Sequence, residues 1–153
     1  MALVPRSHPT ALSHGEIHEV LPSLHFVKGT VGMPGPLPVR FSRNMAIVRE
    51  GDRLVLVNSL RLDDAGLASL DKLGKVTDVI RLAANHGMDD PFYRDRYKAK
   101  VWAVAGQRYT AGFDTNAKDV YLELEFTNVL PAHGAAVIGE ARERYRRAIE
   151  RVS

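Results

Sequence analysis

The chain has 153 residues, of which 45% are hydrophobic and 25% are charged, as expected for one globular domain with a sizeable core. Its formal charge of +3 is too small to predict a nucleic-acid partner. It contains no cysteine, which excludes disulfides and thiolate metal sites and favours a reducing compartment such as the cytoplasm. No apolar run approaches the roughly 18 residues of a membrane span, so neither a membrane partner nor a signal peptide is predicted.

The first residues have the character of a cloning remnant. The letters LVPRSH at positions 3–8 are similar to a protease cleavage site joined to vector sequence. We therefore treat residues 1–8 as vector-derived and residues 9–153 as a single domain. The polar stretch that follows contains His14 and His18, but Gly15 interrupts the zinc-hydrolase pattern H-E-x-x-H, and a solvated arm is predicted.

Three strands are predicted in the first part of the domain. Residues 20–30, 41–49 and 53–59 are rich in apolar side chains and are bounded by turn residues. The segment 31–38 holds three prolines and two glycines, which predicts a long exposed loop. The letters EGD at 50–52 predict a turn, so the second and third strands form a hairpin. The near-continuous apolar run of the third strand indicates burial on both faces.

A helix and a crossover connection are predicted next. Asp63 is placed to cap a helix over residues 63–73, three leucines share one face of it, and Gly74 stands where helices commonly end. An apolar strand is predicted at 76–84. A strand, a short helix and a second strand make a crossover unit, so the strands 53–59 and 76–84 should be parallel.

The rest of the chain predicts two further helices and two further strands. Pro91 suits the first position of a helix. Alternating apolar and acidic side chains indicate a half-exposed strand, and an apolar stripe indicates a closing helix. The predicted elements are a helix at 92–98, a strand at 100–104, a polar loop at 106–118, a strand at 120–126 and a helix at 136–152.

The candidate site follows the predicted strand 76–84. In sheets with parallel strands, ligands bind beyond the carboxyl ends of the strands, and the letters NHGMDD occupy that place. Glycine in such a loop permits a close approach of the backbone. The candidate side chains are two histidines and two aspartates, His86, Asp89, Asp90 and, after a later predicted strand, His133.

These residue types allow three interpretations. Two imidazoles with one or two carboxylates can bind zinc, iron or manganese. Either Asp89 or Asp90 can instead be a general base whose pKa is set by its neighbour. Both can also cap the helix that opens at Pro91, because aspartate is favoured at that position. Spacing alone leaves the three interpretations open.

The order of elements resembles that of the metallo-β-lactamase superfamily. The shared features are an early hairpin, a crossover helix ending in Leu-Gly, a strand that runs into a histidine-containing loop, and the late letters LPAHG before a C-terminal helix. The letters RLAANHGMDDPFYRDRYKAKVWAV are similar to an uncharacterised branch of the superfamily with a degenerate metal motif. The resemblance covers residues 20–104 and 126–152. It implies an α/β fold, the αββα sandwich, and metal-dependent hydrolysis of a small ester, lactone, thioester or phosphodiester.

The resemblance also implies site residues. The superfamily's strand-end loop has the pattern H-x-H-x-D-H and binds one or two metal ions. Matched position by position, the second and last histidines of that pattern fall on Met88 and Pro91, which are not ligands for such ions. The positions that keep a ligand type imply a zinc, iron or manganese site of His86, Asp90 and His133, with catalytic roles for Asp89 and Asp90.

The chain is short for this superfamily, whose members usually need roughly 200 residues or more. Fewer than thirty residues separate Val104 from the LPAHG letters, where the middle strands of the second half belong. An incomplete second sheet would expose an edge that a partner chain can cover, so a homodimer is expected. The alternative to a hydrolase with a small-molecule substrate is a non-catalytic, degenerate binding or oligomerisation domain of the same fold.

Overall fold

The computed structural model describes residues 8–33, 39–83, 86–103 and 137–140. In these ranges six strands form one sheet, with the strands lying side by side in chain order, and two helices accompany it. The strands are β1 (His18–Leu21), β2 (Leu24–Met33), β3 (Val39–Glu50), β4 (Arg53–Val57), β5 (Lys75–Ile80) and β6 (Lys100–Trp102), and the helices are α1 (Asp64–Leu73) and α2 (Asp90–Tyr97).

The sheet is antiparallel in its first part and parallel in its last part. Strands β1 to β4 pair as an antiparallel meander. Strand β4 pairs in parallel with β5, and β5 pairs in parallel with β6. The helix α1 connects β4 to β5 and α2 connects β5 to β6, so the carboxyl ends of the three parallel strands meet at one edge. The predicted hairpin and the predicted parallel crossover are both confirmed.

The predicted loop 31–38 begins too early. Strand β2 continues to Met33, strand β3 begins at Val39, and these two residues are partners in the ladder. Gly32 pairs with Arg40 inside the same ladder. The glycine-containing start of the predicted loop therefore continues β2, because pairing between two long neighbouring strands outweighs local turn propensity.

The predicted solvated arm is exposed along most of its length, but it is also held against the sheet. The Gly15 N–H donates to the Lys28 carbonyl at 2.7 Å, and the Thr30 N–H donates to the Ser13 carbonyl at 3.1 Å. The polar stretch therefore runs along β2 and makes backbone hydrogen bonds with it. Backbone groups of a polar segment can pair with a sheet whatever their side chains are, and no side-chain pattern reports that pairing.

Helix α1 forms as its sequence predicts. The Asp63 carboxylate accepts a hydrogen bond from the Gly66 N–H at 2.8 Å, which satisfies a backbone donor of the first turn. Leu67 and Leu70 are buried. Gly74 ends the helix with a φ of 154°, and a Cβ there would lie 2.6 Å from the Asp52 carbonyl oxygen, so this position needs glycine.

One face of the sheet and the inner faces of both helices form the core. Arg43 lies two residues before buried Met45 on β3, and Arg81 lies two residues after buried Val79 on β5. Because side chains alternate between the faces of a strand, both arginines project to the core side. The core cluster includes Val27, Met45, Ile47, Leu54, Leu56, Leu67, Leu70, Val76, Val79, Phe92, Tyr93 and Val101.

The elements predicted at 106–118 and 120–126, the closing helix apart from residues 137–140, and His133 lie outside the described residues. Within the described ranges, neither helix has the length and the apolar character that crossing a bilayer would take.

The cap of α1 is directly testable. Asp63→Ala removes the acceptor for the Gly66 N–H and should lower the free energy of unfolding by about 1 kcal/mol. Asp63→Asn keeps a side-chain acceptor, so its stability should stay close to that of the original chain. Urea denaturation of the three proteins makes the comparison. Equal losses for both variants would contradict a capping role.

Candidate functional site

The candidate site lies where β4 and β5 end. Asn58, the residue after β4, has a φ of 54° and turns the chain out of the ladder while its N–H donates to the Ile80 carbonyl at 2.9 Å. The Arg81 N–H donates to the Trp102 carbonyl at 2.8 Å. These lateral hydrogen bonds hold the ends of the parallel strands together, and the loop with His86 and the aspartates starts from this fixed edge.

A buried ion pair joins the end of β5 to the start of α2. The Arg81 Nε donates to Asp90 Oδ2 at 2.8 Å, and both side chains are 0% exposed. The Ser59 hydroxyl donates to the other oxygen, Asp90 Oδ1, at 2.5 Å. Both carboxylate oxygens of Asp90 are therefore bound by donors from neighbouring elements, in an environment where charge-assisted hydrogen bonds are strong.

Gly87 allows the loop to pass over this ion pair. Its φ is +99°, and its carbonyl accepts a hydrogen bond from the Arg81 guanidinium at 3.4 Å. A Cβ at this position would overlap Arg81 Nε. The sequence predicts that glycine serves a close approach here, and the group that approaches is the buried guanidinium.

Asp89 is held by a second arginine. Its Oδ2 accepts from Arg43 at 2.6 Å and from the Arg61 N–H at 2.7 Å, and the Asp89 side chain is 2% exposed. The other terminal nitrogen of Arg43 donates to the Ser59 carbonyl at 2.6 Å. This guanidinium thus ties the middle of β3 to the segment after β4 and to the first residue of the turn that opens α2.

The interpretation of Asp89 as a side-chain cap is wrong. Asp89 occupies the N-cap position of α2, but its φ and ψ are −103° and −4° and its carboxylate makes no hydrogen bond to the helix backbone. The first turn is supported by backbone instead, since the Phe92 N–H donates to the Asp89 carbonyl at 3.1 Å. Both aspartates of the loop are directed to arginines rather than to helix termini.

His86 makes a hydrogen bond that fixes its protonation pattern. Its Nδ1 lies 3.0 Å from Asn58 Oδ1, and the Leu82 N–H also points to that atom at 3.3 Å. A backbone N–H needs an acceptor, so the Asn58 atom is the amide oxygen and His86 Nδ1 is the donor. The neutral imidazole then carries its lone pair on Nε2, the tautomer that can accept a proton or bind a cation.

Tyr93 supports the segment that carries the Asp89 contacts. Its hydroxyl donates to the Leu60 carbonyl at 2.7 Å and accepts from the Leu62 N–H at 3.3 Å. Burial raises the pKa of Tyr93 well above its ordinary value, so this hydroxyl remains protonated and keeps both hydrogen bonds. Arg61 lies with its Cζ 3.3 Å from the centre of the Phe92 ring, a cation–π contact.

A small, open pocket adjoins this network, with about 10 Å³ of space for a water-sized sphere. Arg43 contributes a positive charge to its wall, and the ion pair of Arg43 with Asp89 neutralises that charge. A half-buried imidazole and two buried amide side chains lie among its lining residues, and the surface that faces the pocket is mostly apolar. The lining residues are Arg43, Asn44, Asn58, Ser59 and His86.

The fold has counterparts among solved structures. The metallo-β-lactamase FIM-1 from Pseudomonas aeruginosa, in its mono-zinc form, matches 80% of this chain with a TM-score of 0.54 and 13% identity. The chain has a metallo-β-lactamase-like fold. Two further metallo-β-lactamases match less fully. One from Erythrobacter litoralis matches 61% of the chain with 17% identity and a TM-score of 0.44. One from Hirschia baltica matches 59% of the chain with 18% identity and a TM-score of 0.45.

The metallo-β-lactamase-like chain spans about half the length of these matched structures, 57% of FIM-1, 42% of the Erythrobacter litoralis protein and 43% of the Hirschia baltica protein. This partial coverage agrees with the prediction of a chain shortened relative to the family. No protein-family model matches the sequence, and no curated protein matches it either. At these identities the likeness establishes the fold alone.

The metallo-β-lactamase-like fold raises the question of a metal ion, and the donor atoms of the described residues do not fit one. Both oxygens of Asp90 are bound by Arg81 and Ser59. Asp89 Oδ1 is buried without a hydrogen-bond partner, but the guanidinium bound to Asp89 would repel a cation. Among the residues that the structure describes, no three His, Asp or Glu side chains are grouped to hold a metal.

The structure therefore brings Asp89 and Asp90 together with arginines, and it places His86 on a neighbouring pocket that Asp89 does not line. Sequence reasoning found the loop but missed the arginines. Arg81 gives a usable signal, because a charged residue at the inward position after an apolar strand needs a buried partner of opposite charge. Arg43 gives a weaker signal, because buried and exposed residues do not alternate regularly along β3.

Gly87 provides a test of this packing. Gly87→Ala should lower the free energy of unfolding by at least about 3 kcal/mol, because it adds the strain of a positive φ and displaces a buried guanidinium from its carboxylate. Gly51→Ala is the matched control: Gly51 also has a positive φ, +59°, but open space around its Cβ. Its cost should be only about 1 kcal/mol. Chemical denaturation measures both, and equal losses would contradict the contact with Arg81.

Proposed function

We propose that this metallo-β-lactamase-like domain is a non-catalytic binding domain that takes a small, uncharged polar ligand in the pocket beside His86. The observation that supports it is the commitment of both aspartates to arginines, next to a small pocket whose lining residues include His86 and two asparagines. Ligands of this fold class are expected beyond the carboxyl ends of parallel strands, and the pocket lies there.

Charge balance supports an uncharged ligand. The two arginines of the network are each matched by one carboxylate, at 2.6 Å and 2.8 Å. The pocket wall therefore offers no net charge that would attract an ion over long range. Amide side chains both donate and accept hydrogen bonds, which suits a ligand group such as an amide or a hydroxyl. The pocket has only about 10 Å³ of space that a water-sized sphere can occupy, so no more than one small ligand group enters it.

Acetamide is a suitable probe for this proposal. Titrated into the ¹⁵N-labelled chain, acetamide should shift the amide resonances of Asn58, Ser59 and His86 in a saturable way, with the weak affinity expected of so small a ligand. Acetate at the same concentrations should bind no more tightly, because the wall carries no net positive charge.

The matched controls are two histidine variants. His86→Ala removes one wall of the pocket and should abolish the saturable shifts, whereas His18→Ala changes an exposed strand residue and should leave them intact. Shifts that persist in His86→Ala, or a clear preference for acetate, would overturn the proposed site or its ligand class.

The second candidate function is a metal-dependent hydrolase that acts on a small ester, lactone, thioester or phosphodiester. Two observations favour it. The tautomer of His86 carries a lone pair on Nε2, as a metal-binding histidine requires, and its other nitrogen is held by an amide oxygen. FIM-1, the matched structure, is in a mono-zinc form. Ligation by zinc, iron or manganese would also need His133, which lies outside the described residues.

Metal content separates the two candidates. Protein purified without chelator should contain no stoichiometric zinc, iron or manganese by elemental analysis if the binding-domain proposal is correct. A hydrolase predicts stoichiometric metal that is lost in His86→Ala and retained in His18→Ala. That second pattern would favour the hydrolase and count against the binding domain.

The remaining expectations on partners and location stay predictions. They are a small-molecule partner, no nucleic-acid or membrane partner, assembly as a homodimer, and a cytoplasmic location. The low net charge of +3 supports the absence of a nucleic-acid partner, and the absence of cysteine supports the cytoplasmic location.

A further inference from the structure

The Arg81 guanidinium lies among oxygen atoms that come from several parts of the chain. It donates to Asp90 Oδ2 at 2.8 Å and to the Gly87 carbonyl at 3.4 Å. The second oxygen of Asp90 is bound by Ser59, which follows β4. A single buried cation thus connects the end of β5, the loop at Gly87, and the start of α2, with Ser59 completing the set from the neighbouring strand.

The loop is shaped around this guanidinium. Gly87 has a φ of +99°, which side-chain-bearing residues rarely adopt, and any Cβ there would overlap the Arg81 guanidinium. Among the residues that the structure describes, Arg81 is also the largest side chain with almost no solvent exposure. A loop evolved to receive a metal ion at Asp90 would have to leave room for that ion, whereas here the room next to the carboxylate is filled.

The charges around Asp90, like the packing, disfavour a metal ion there. Asp90 carries one negative charge, and Arg81 matches it with one positive charge. A divalent cation brought to Asp90 would lie within a few ångströms of that guanidinium, where like charges repel strongly because the site is shielded from water. Binding would require the expulsion of a fully buried arginine, which leaves its own charge without a partner.

We propose that Arg81 is a built-in replacement for a metal ion: its guanidinium organises the loop at Gly87–Asp90 around Asp90, and the loop therefore forms without any bound metal. The inference concerns what holds the loop and rests on the Arg81 contacts, so it stands or falls separately from ligand binding in the His86 pocket. It assigns Arg81 and Asp90 a positioning role, because neither is exposed to a ligand.

Thermal unfolding of the full chain tests the inference. The melting temperature of the unaltered chain should be the same in chelator, in zinc and in manganese. Asp90→Leu and Arg81→Met should each lower it by roughly 10 °C, because each leaves a buried charge without its partner. The double variant, with both changes, should melt closer to the unaltered chain than either single variant does, since neither charge of this pair is left without its partner.

A matched control is the pair of Arg53 with Asp78, in which the Arg53 side chain is 61% exposed. Arg53→Met should change the melting temperature by only a few degrees at most, because exposed ion pairs contribute little.

Three results would overturn the inference. They are a melting temperature of the unaltered chain that falls in chelator and recovers with zinc, additive losses in the double variant, and a single-variant loss no larger than that of Arg53→Met. If a single variant does not fold, the chelator comparison on the unaltered chain decides alone. A failed acetamide titration with an unchanged melting temperature in chelator would reject the ligand proposal and leave the role of Arg81 standing.

Discussion

The buried ion pair between Arg81 and Asp90 is the constraint on which this end of the molecule depends. Both side chains are fully removed from water, and a buried charge that loses its partner costs several kcal/mol. The end of β5 and the first turn of α2 therefore have to keep their relative positions. Gly87 is required by the same pair, because only a residue without a Cβ lets the loop pass the guanidinium.

A second pair, between Arg43 and Asp89, extends the constraint to the antiparallel half of the sheet. Arg43 also binds the Ser59 carbonyl, and the Ser59 hydroxyl binds Asp90, so the two pairs form one connected network. Both oxygens of Asp90 and one oxygen of Asp89 are held by charge-assisted or hydroxyl hydrogen bonds in this network. In the described residues, both carboxylates of this loop therefore bind arginines and support its structure.

The parts of the fold that the sequence predicts well are those whose signals are local. The cap at Asp63, the leucine face and the terminal Gly74 all lie within one helix length, and α1 forms there. The position of the loop after β5 is predicted for the same reason. The partners of its aspartates are not, because Arg43 is 46 residues from Asp89 in the chain, and only the register of β3 against its neighbours brings them together. The predicted loop 31–38 begins three residues too early for a related reason, since strand pairing overrides local composition.

The central claim is that a guanidinium, and no metal ion, occupies the space beside Asp90. A crystal soaked in zinc, with anomalous diffraction data collected on either side of the zinc absorption edge, tests it most directly. The account predicts no anomalous peak next to Asp90 and an Arg81 Nε to Asp90 Oδ2 distance close to 2.8 Å. An anomalous peak within coordination distance of Asp90 Oδ1 or Oδ2, with the Arg81 side chain displaced from the carboxylate, would contradict the claim.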